Sequence, residues 1–293
     1  MMMVRKAAVA VVGVLAAMLA MAAPVSAQVY GQPVPWQMNF QHAATPTMAE
    51  VINFHTFLTW LITAISVFVL ALLLYIMWRF NAKANPVPSK NTHNTVLEVV
   101  WTVVPVAILV IMAIPSFRLL YKMDVIPDAA KVREWYPDVN VAGTLDIKAT
   151  GVQWNWSYEY PNERIKFDAF CANCFPGDPV SPTSPRLLET DNHVVVPVNT
   201  LVRVLLGAQD VIHAWAMPAF GVKQDAVPGR ANETWFIAIR EGTFFGQCSE
   251  LCGQGHGFMP ITVEVVSKTR YDQWVVQKRA EIETKSGVKF AAN

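Results

Sequence analysis

The chain has 293 residues, of which 53% are hydrophobic and only 15% charged, and its formal net charge is +1. A balance so close to neutral gives no reason to expect nucleic acid as a partner. The apolar excess is concentrated in the first 120 residues, so composition points to a membrane protein with a water-facing domain attached, not to one soluble unit.

Residues 1–27 read as a cleaved secretory signal peptide. Arg5 and Lys6 precede an apolar run at 7–23, and Val25, Ser26 and Ala27 form a small-residue cleavage site that leaves Gln28 first. A retained anchor is the alternative, but the run is short and ends at Pro24. A polar lead-in at 28–50 contains Pro33, Pro35 and Pro46. The stretch 54–78 is long and apolar enough to cross about 30 Å of hydrocarbon. A second span at 95–120, interrupted by Pro105 and Pro115, completes a hairpin within 28–121. The connection at 79–94 carries Arg79, Lys83 and Lys90 and no acid, which places it in the cytoplasm. Both flanks then lie on the opposite side, in agreement with an exported N-terminus. Glu98 sits about one turn inside the second span. A carboxylate at depth costs roughly 2.5–3.5 kcal/mol, less near the interface. Either it snorkels to the headgroups or it takes up protons at a contact with another subunit.

Residues 122–141 form a mixed-charge linker, and from 142 to 270 the pattern changes to period two. The segments 144–150, 152–160, 193–198, 201–206, 234–240 and 261–266 read as short strands, with Trp154, Trp156, Tyr158 and Tyr160 on one face. Several such strands with Gly/Pro turns predict an all-β sandwich or Greek-key barrel. The region 141–270 holds 13 acidic and 10 basic residues, a mild excess that suits a basic partner. The tail at 271–293 is compatible with a helix over 271–285.

The four cysteines form two close pairs. Cys171 and Cys174 fall in a Pro-rich excursion at 161–190. No histidine follows Cys174, which excludes covalent haem, and no further soft ligand lies nearby. A local disulfide is the favoured reading, with a redox-active or metal-delivery dithiol as the alternative. The second pair, Cys248 and Cys252, is followed by His256 and Met259 in a glycine-rich loop that leads into the strand at 261–266. A remote His213, read as lying at the end of its own strand, can reach the same pole of a barrel. One tetrahedral zinc on Cys248, Cys252, His256 and His213 leaves Met259 idle. One blue-copper ion leaves a cysteine idle. Two coppers sharing both thiolates use every donor, with Met259 and a loop carbonyl, most simply that of Glu250, as weak axial ligands.

The motifs Gly151-Val-Gln-Trp-Asn-Trp-Ser-Tyr-Glu-Tyr160, Asp210-Val-Ile-His-Ala-Trp-Ala-Met-Pro-Ala-Phe-Gly-Val-Lys223, Asp225-Ala-Val-Pro-Gly-Arg230 and the stretch 246–260 resemble cytochrome c oxidase subunit II of the bacterial aa3 type. The resemblance runs from the first span to about residue 267. It implies a two-helix membrane anchor and a periplasmic cupredoxin-like domain at 142–270. It implies a dinuclear copper centre, CuA, on His213, Cys248, Glu250 through its carbonyl, Cys252, His256 and Met259. It further implies a Mg2+ on the Glu250 side chain shared with subunit I, a proton-pathway role for Glu98, and Trp154 as the place where electrons arrive from cytochrome c. Asp210, Glu159 and Asp191 become candidate docking acids. The implied partners are cytochrome c, the haem-bearing subunit I, subunit III and the lipid of a bacterial inner membrane. The implied activity is electron transfer in a respiratory oxidase that reduces oxygen to water and translocates protons. Asn155 stands where the family usually has an aromatic, and the Cys171/Cys174 excursion is outside its common pattern. A quinol oxidase subunit would lack the metal donors, a zinc- or disulfide-stabilised receptor domain would hold no copper, and the soluble nitrous oxide reductase would lack the hairpin.

Overall fold

The computed structural model describes residues 31–286, so the signal-peptide reading lies outside the described residues. The two apolar stretches form α1 (Pro46–Arg79) and α2 (Thr95–Asp124), both long and apolar enough to cross a membrane. The first helix begins eight residues before its apolar stretch, and the second runs four residues beyond its own; a side-chain cap sets the start of each. Thr45 accepts a hydrogen bond from the Met48 amide at 3.0 Å, and Pro46 occupies the first helical position, where a missing N–H costs nothing. Asn94 caps α2 by accepting from the Leu97 amide at 3.1 Å. The apolar side chains of both helices are largely exposed, as expected of surfaces that meet lipid or another subunit.

The stretch 122–141, read from its mixed charge as a linker, contains a short helix, α3 (Ala129–Trp135). Asp128 caps it by accepting from the Lys131 amide at 2.7 Å. Its one fully buried residue, Val132, packs with Leu201, Trp235 and Ile237, and that contact holds the helix on the domain.

Ten strands follow: β1 (Gly143–Val152), β2 (Asn155–Tyr160), β3 (Ile165–Ala169), β4 (Val194–Pro197), β5 (Thr200–Ala208), β6 (His213–Met217), β7 (Val222–Ala226), β8 (Asn232–Ile237), β9 (Gly242–Cys248) and β10 (Pro260–Val266). They form two five-stranded sheets, ordered β3-β2-β1-β5-β8 and β4-β10-β9-β6-β7. Strands β3, β7 and β9 were not foreseen. The first two alternate exposed with buried residues over only five positions, and β9 carries Gly242 and Gly246, which mask a strand signal. β6 begins at His213, whereas the sequence was read as a strand ending there. Asp210 turns the chain just before it, accepting from the Val211 amide at 2.7 Å.

Between the sheets lie Trp156, Tyr158, Tyr160, Trp215, Phe220, Phe236 and Phe244, each at most 1% exposed. Burying such rings contributes most of the stabilisation available to a domain of this size. The sheets are also tied by polar atoms: the Tyr160 hydroxyl donates to the Val195 carbonyl at 2.9 Å and accepts from its amide at 3.0 Å. The tail forms α4 (Lys268–Ser286), and its Tyr271 and Trp274 pack against the sandwich beside Tyr160. The hairpin is not merely tethered to this domain. The Ala44 amide donates to the Ala219 carbonyl at 2.9 Å, and the Thr45 hydroxyl donates to the Phe220 carbonyl at 2.8 Å.

Candidate metal centre

Three connections meet at one end of the sandwich: the β1–β2 turn, the β5–β6 turn and the β9–β10 loop. Each supplies part of one cluster. His213, at the start of β6, is fully buried, and Cys248, the last residue of β9, is 6% exposed. The register that pairs Trp215 with Cys248 brings these two strand ends side by side. Cys252 and Met259, both buried, enter from the loop with half-buried His256. Donor atoms of His213, Cys248 and Cys252 all lie within 4.8 Å of one another.

The remaining donors close around the sulfurs. Cys248 Sγ stands 3.8 Å from Cys252 Sγ and 3.9 Å from His213 Nδ1. Cys252 Sγ stands 3.5 Å from His256 Nδ1 and 3.5 Å from Met259 Sδ. The Glu250 carbonyl points inward, 3.4 Å from Cys248 Sγ, while its side chain is exposed. Two thiols so near each other resist joint ionisation. Burial works to raise Cys248, yet its hydrogen bonds with His213, the backbone at Ala214 and Glu250, and His256 bring it down to about 7. Burial, and then the neighbouring Cys248, push Cys252 up to about 12. A soft cation between the sulfurs removes that opposition, and the buried N/S donor set fits copper.

A second layer of contacts holds the donors. Asp210 Oδ1 faces His213 Nε2 at 2.9 Å, which leaves Nδ1 directed at the sulfurs. Asp210 Oδ2 accepts from the Gln153 amide at 2.7 Å. Burial works to raise the Asp210 carboxyl, but its bonds with His213, Gln153 and Val211 outweigh it and lower the net value. The Gln153 side-chain amide donates to the Cys252 carbonyl at 2.8 Å, and the Trp154 indole N–H donates to the same oxygen at 3.1 Å. The loop must come very close for this. A Cβ on Gly255 would lie 2.3 Å from the Trp154 ring, and one on Gly151 would lie 2.7 Å from the His213 ring.

All six sequence-predicted metal donors therefore converge, and Trp154 lies against them. Trp154 is 36% exposed, outside the buried stripe of Trp156, Tyr158 and Tyr160. Glu98 is elsewhere, in the first turn of α2, its Oε1 2.8 Å from His93 Nδ1. Of the three candidate docking acids, Asp210 belongs to this cluster, and its oxygens are committed to the site. Glu159 sits toward the other end of β2, between Lys148 and Lys166. Asp191 lines a groove with Trp274 and Lys278. Asn155 is 8% exposed and adds little to the outer surface. Sequence reasoning missed Gln153 and the positioning role of Asp210. The only signal for either was adjacency to Trp154 and to the Val211-Ile212-His213 run.

Comparison with known proteins identifies the family. Residues 145–266 match the family described as cytochrome c oxidase subunit II, periplasmic domain, and residues 33–119 match its transmembrane domain. A probable cytochrome c oxidase subunit 2 of Rickettsia bellii is 46% identical over 263 residues, covering 89% of this chain and 91% of that protein. Cytochrome c oxidase subunit 2 of Cereibacter sphaeroides is 43% identical over 282 residues, covering 91% and 88%. Among solved structures, the periplasmic domain of subunit II of the Bradyrhizobium japonicum cytochrome oxidase shows 46% identity over 54% of this chain and 99% of that one, with a TM-score of 0.44. The chain belongs to the cytochrome c oxidase subunit II family, the two-pass, β-domain-bearing membrane component of an oxidoreductase complex.

Proposed function

We propose that this subunit relays electrons from cytochrome c to the haem-bearing subunit I, where oxygen is reduced to water. The metal centre would be a dinuclear CuA site of two copper ions held by His213, Cys248, the Glu250 carbonyl, Cys252, His256 and Met259. One observation carries the reading: two free thiols 3.8 Å apart are flanked by a histidine each, with the Met259 thioether against Cys252. Zinc would leave the thioether unused, and a single copper would leave a thiol unused. Bound copper would supply a one-electron couple with no position left for a substrate.

The chain's own residues do the rest. Trp154 offers an exposed edge to a donor and a hydrogen bond to the Cys252 carbonyl, so an electron arriving at the ring is one contact from a metal ligand. Asp210 and Gln153 keep His213 and the loop in register, which limits rearrangement on reduction. The inward carbonyl and outward carboxylate of Glu250 support a double role, with the carboxylate on a Mg2+ shared with subunit I. Glu98, beside His93 at the basic-loop end of α2, supports proton uptake from the cytoplasm in a complex that also contains subunit III. The basic loop at 79–94 supports an orientation with the metal domain on the periplasmic side of a bacterial inner membrane. We divide the chain into a signal peptide at 1–27, the lead-in and hairpin at 28–121, a linker at 122–141, the cupredoxin-like domain at 142–270 and a tail at 271–293.

Copper stoichiometry with electron paramagnetic resonance tests the central claim. Two coppers per chain and hyperfine structure spread over two nuclei are expected. Zinc, a single metal ion, or a Cys248–Cys252 disulfide in metal-replete protein would sink it.

A further inference from the structure

The excursion between β3 and β4 contributes no residue to the metal cluster, yet it is firmly built. Cys171 and Cys174 are joined in a disulfide. Asn173, 1% exposed, donates to the carbonyls of Ser184 at 3.0 Å and Pro185 at 2.9 Å and accepts from the Leu187 amide at 3.1 Å. The Asp178 carboxylate accepts from the Phe175 amide at 2.6 Å. Where the excursion returns to the sheet, the Thr190 amide donates to Thr262 Oγ1 on β10 at 3.1 Å. So much fixing serves a side chain that is itself in water: Phe175 is 67% exposed.

Phe175 lies parallel to Phe258 of the metal loop, with ring centres 6.0 Å apart and planes 4° from parallel. Phe258 is 40% exposed, and Leu251 on the same loop is 83% exposed. Trp154 rests on that loop's backbone at Gly253 and Gly255. Leu251 and Phe258 belong to this loop, and Trp154 and Phe175 lie against it; exposed apolar groups gathered on one loop mark an interface. Nearby acids contribute little free charge. Asp210 is bound to His213, Asp178 to the Phe175 amide, and Glu250 is assigned above to the contact with subunit I.

We infer that the disulfide-closed excursion, through Phe175, forms one wall of the surface on which the electron donor docks. The metal loop links Trp154, which lies against its Gly253 and Gly255, to Phe258, which stacks on Phe175. This surface suits cytochrome c, the proposed electron donor, which must bring its cofactor close to Trp154 beside this loop. The inference rests on that reading of Trp154. Rings stacked at the centre of a small interface are the type of group that dominates affinity, whereas rim charges mainly steer association.

The assembled oxidase carrying Phe175→Ser tests this, with reduced cytochrome c as substrate at low and high ionic strength. KM is expected to rise about fivefold at both salt concentrations, with kcat changed by less than twofold. Phe175→Tyr, which keeps the ring, should hold the original KM. Direct reduction of the metal centre by hexaammineruthenium(II), too small to span the patch, should be unchanged. An unaltered KM in Phe175→Ser overturns the proposal, and so does an equal loss of the ruthenium rate, which would mean a disturbed metal loop. Trp154→Phe separates the two readings. If it slows electron transfer from cytochrome c while Phe175→Ser leaves KM alone, only the excursion's role falls. If Trp154→Phe leaves cytochrome c turnover intact, the site of electron arrival is misplaced and this inference falls with it.

Discussion

The two cysteine pairs of this chain have similar spacing and opposite fates. Cys171 and Cys174 are joined in a disulfide whose Cα atoms are 5.8 Å apart. Cys248 and Cys252 are both free and buried, with sulfurs 3.8 Å apart. The first pair belongs to no cluster of three His, Cys or carboxylate donors among the described residues, and its sulfurs bond each other. The second pair faces the Nδ1 atoms of two histidines and the sulfur of Met259, with His213 delivered by the start of β6 and the others by the β9–β10 loop. What distinguishes a ligand pair from a structural pair is thus the company brought by the fold, not the spacing in the chain. In an exported domain the default is oxidation, and only a bound cation makes two thiolates in contact the more stable state.

Breaking each pair should therefore give opposite results. Cys248→Ser removes a shared sulfur and should abolish copper binding and all oxygen turnover with cytochrome c. The double change Cys171→Ser with Cys174→Ser should keep a full complement of copper by atomic absorption. Copper loss in the double variant, or copper retention in Cys248→Ser, would erase the distinction drawn above. A smaller effect is expected from Asp210→Asn. The amide keeps one acceptor where the carboxylate offers two, so either His213 or the Gln153 turn loses its hold. Loss of such a supporting partner typically weakens metal affinity by about 10- to 100-fold. Competition with a copper chelator measures this directly. An unchanged affinity would show that strand geometry alone orients His213.

Much of this was legible before the structure. The hairpin follows from two uniformly apolar stretches and a basic loop, signals that membrane chemistry makes nearly unambiguous. All six residues proposed as metal donors were picked out from the sequence, five of them because ligand spacing within one loop is local information. His213 stood out as a remote histidine beside a short strand that a barrel can bring to the same pole, and the resemblance of its motif to a family agreed. Its register against Cys248 depends on β9, which the sequence did not reveal. Short, half-polar β3 and β7 and glycine-bearing β9 hide because their stability comes from cross-strand partners, not from their own residues. The helix α3 hides for a related reason: a single buried residue, Val132, holds it. The contacts among Asp210, Gln153 and Cys252 join residues far apart in the chain, and no local pattern encodes them.

The smallest effect concerns the base of the excursion, where Glu189 and Glu264 both approach His193. Burial works to lower His193, but the two carboxylates more than offset it and raise the imidazole to about 9 from an ordinary 6.5. A folded-state value above the unfolded one means that this contact stabilises fully below pH 6.5 and is lost as pH rises through 9. The contribution is about 2 kcal/mol, since His193 is 31% exposed and water screens part of the attraction. Thermal unfolding of the detergent-solubilised chain should therefore show a midpoint that falls between pH 6.5 and 9.5. His193→Gln keeps a hydrogen-bond donor without the titrating charge, and it should flatten that slope while leaving copper content untouched. Equal slopes in both proteins would assign the pH dependence to another group. A change in copper content would mean that the excursion and the metal loop are coupled more tightly than the Phe175–Phe258 stack alone provides.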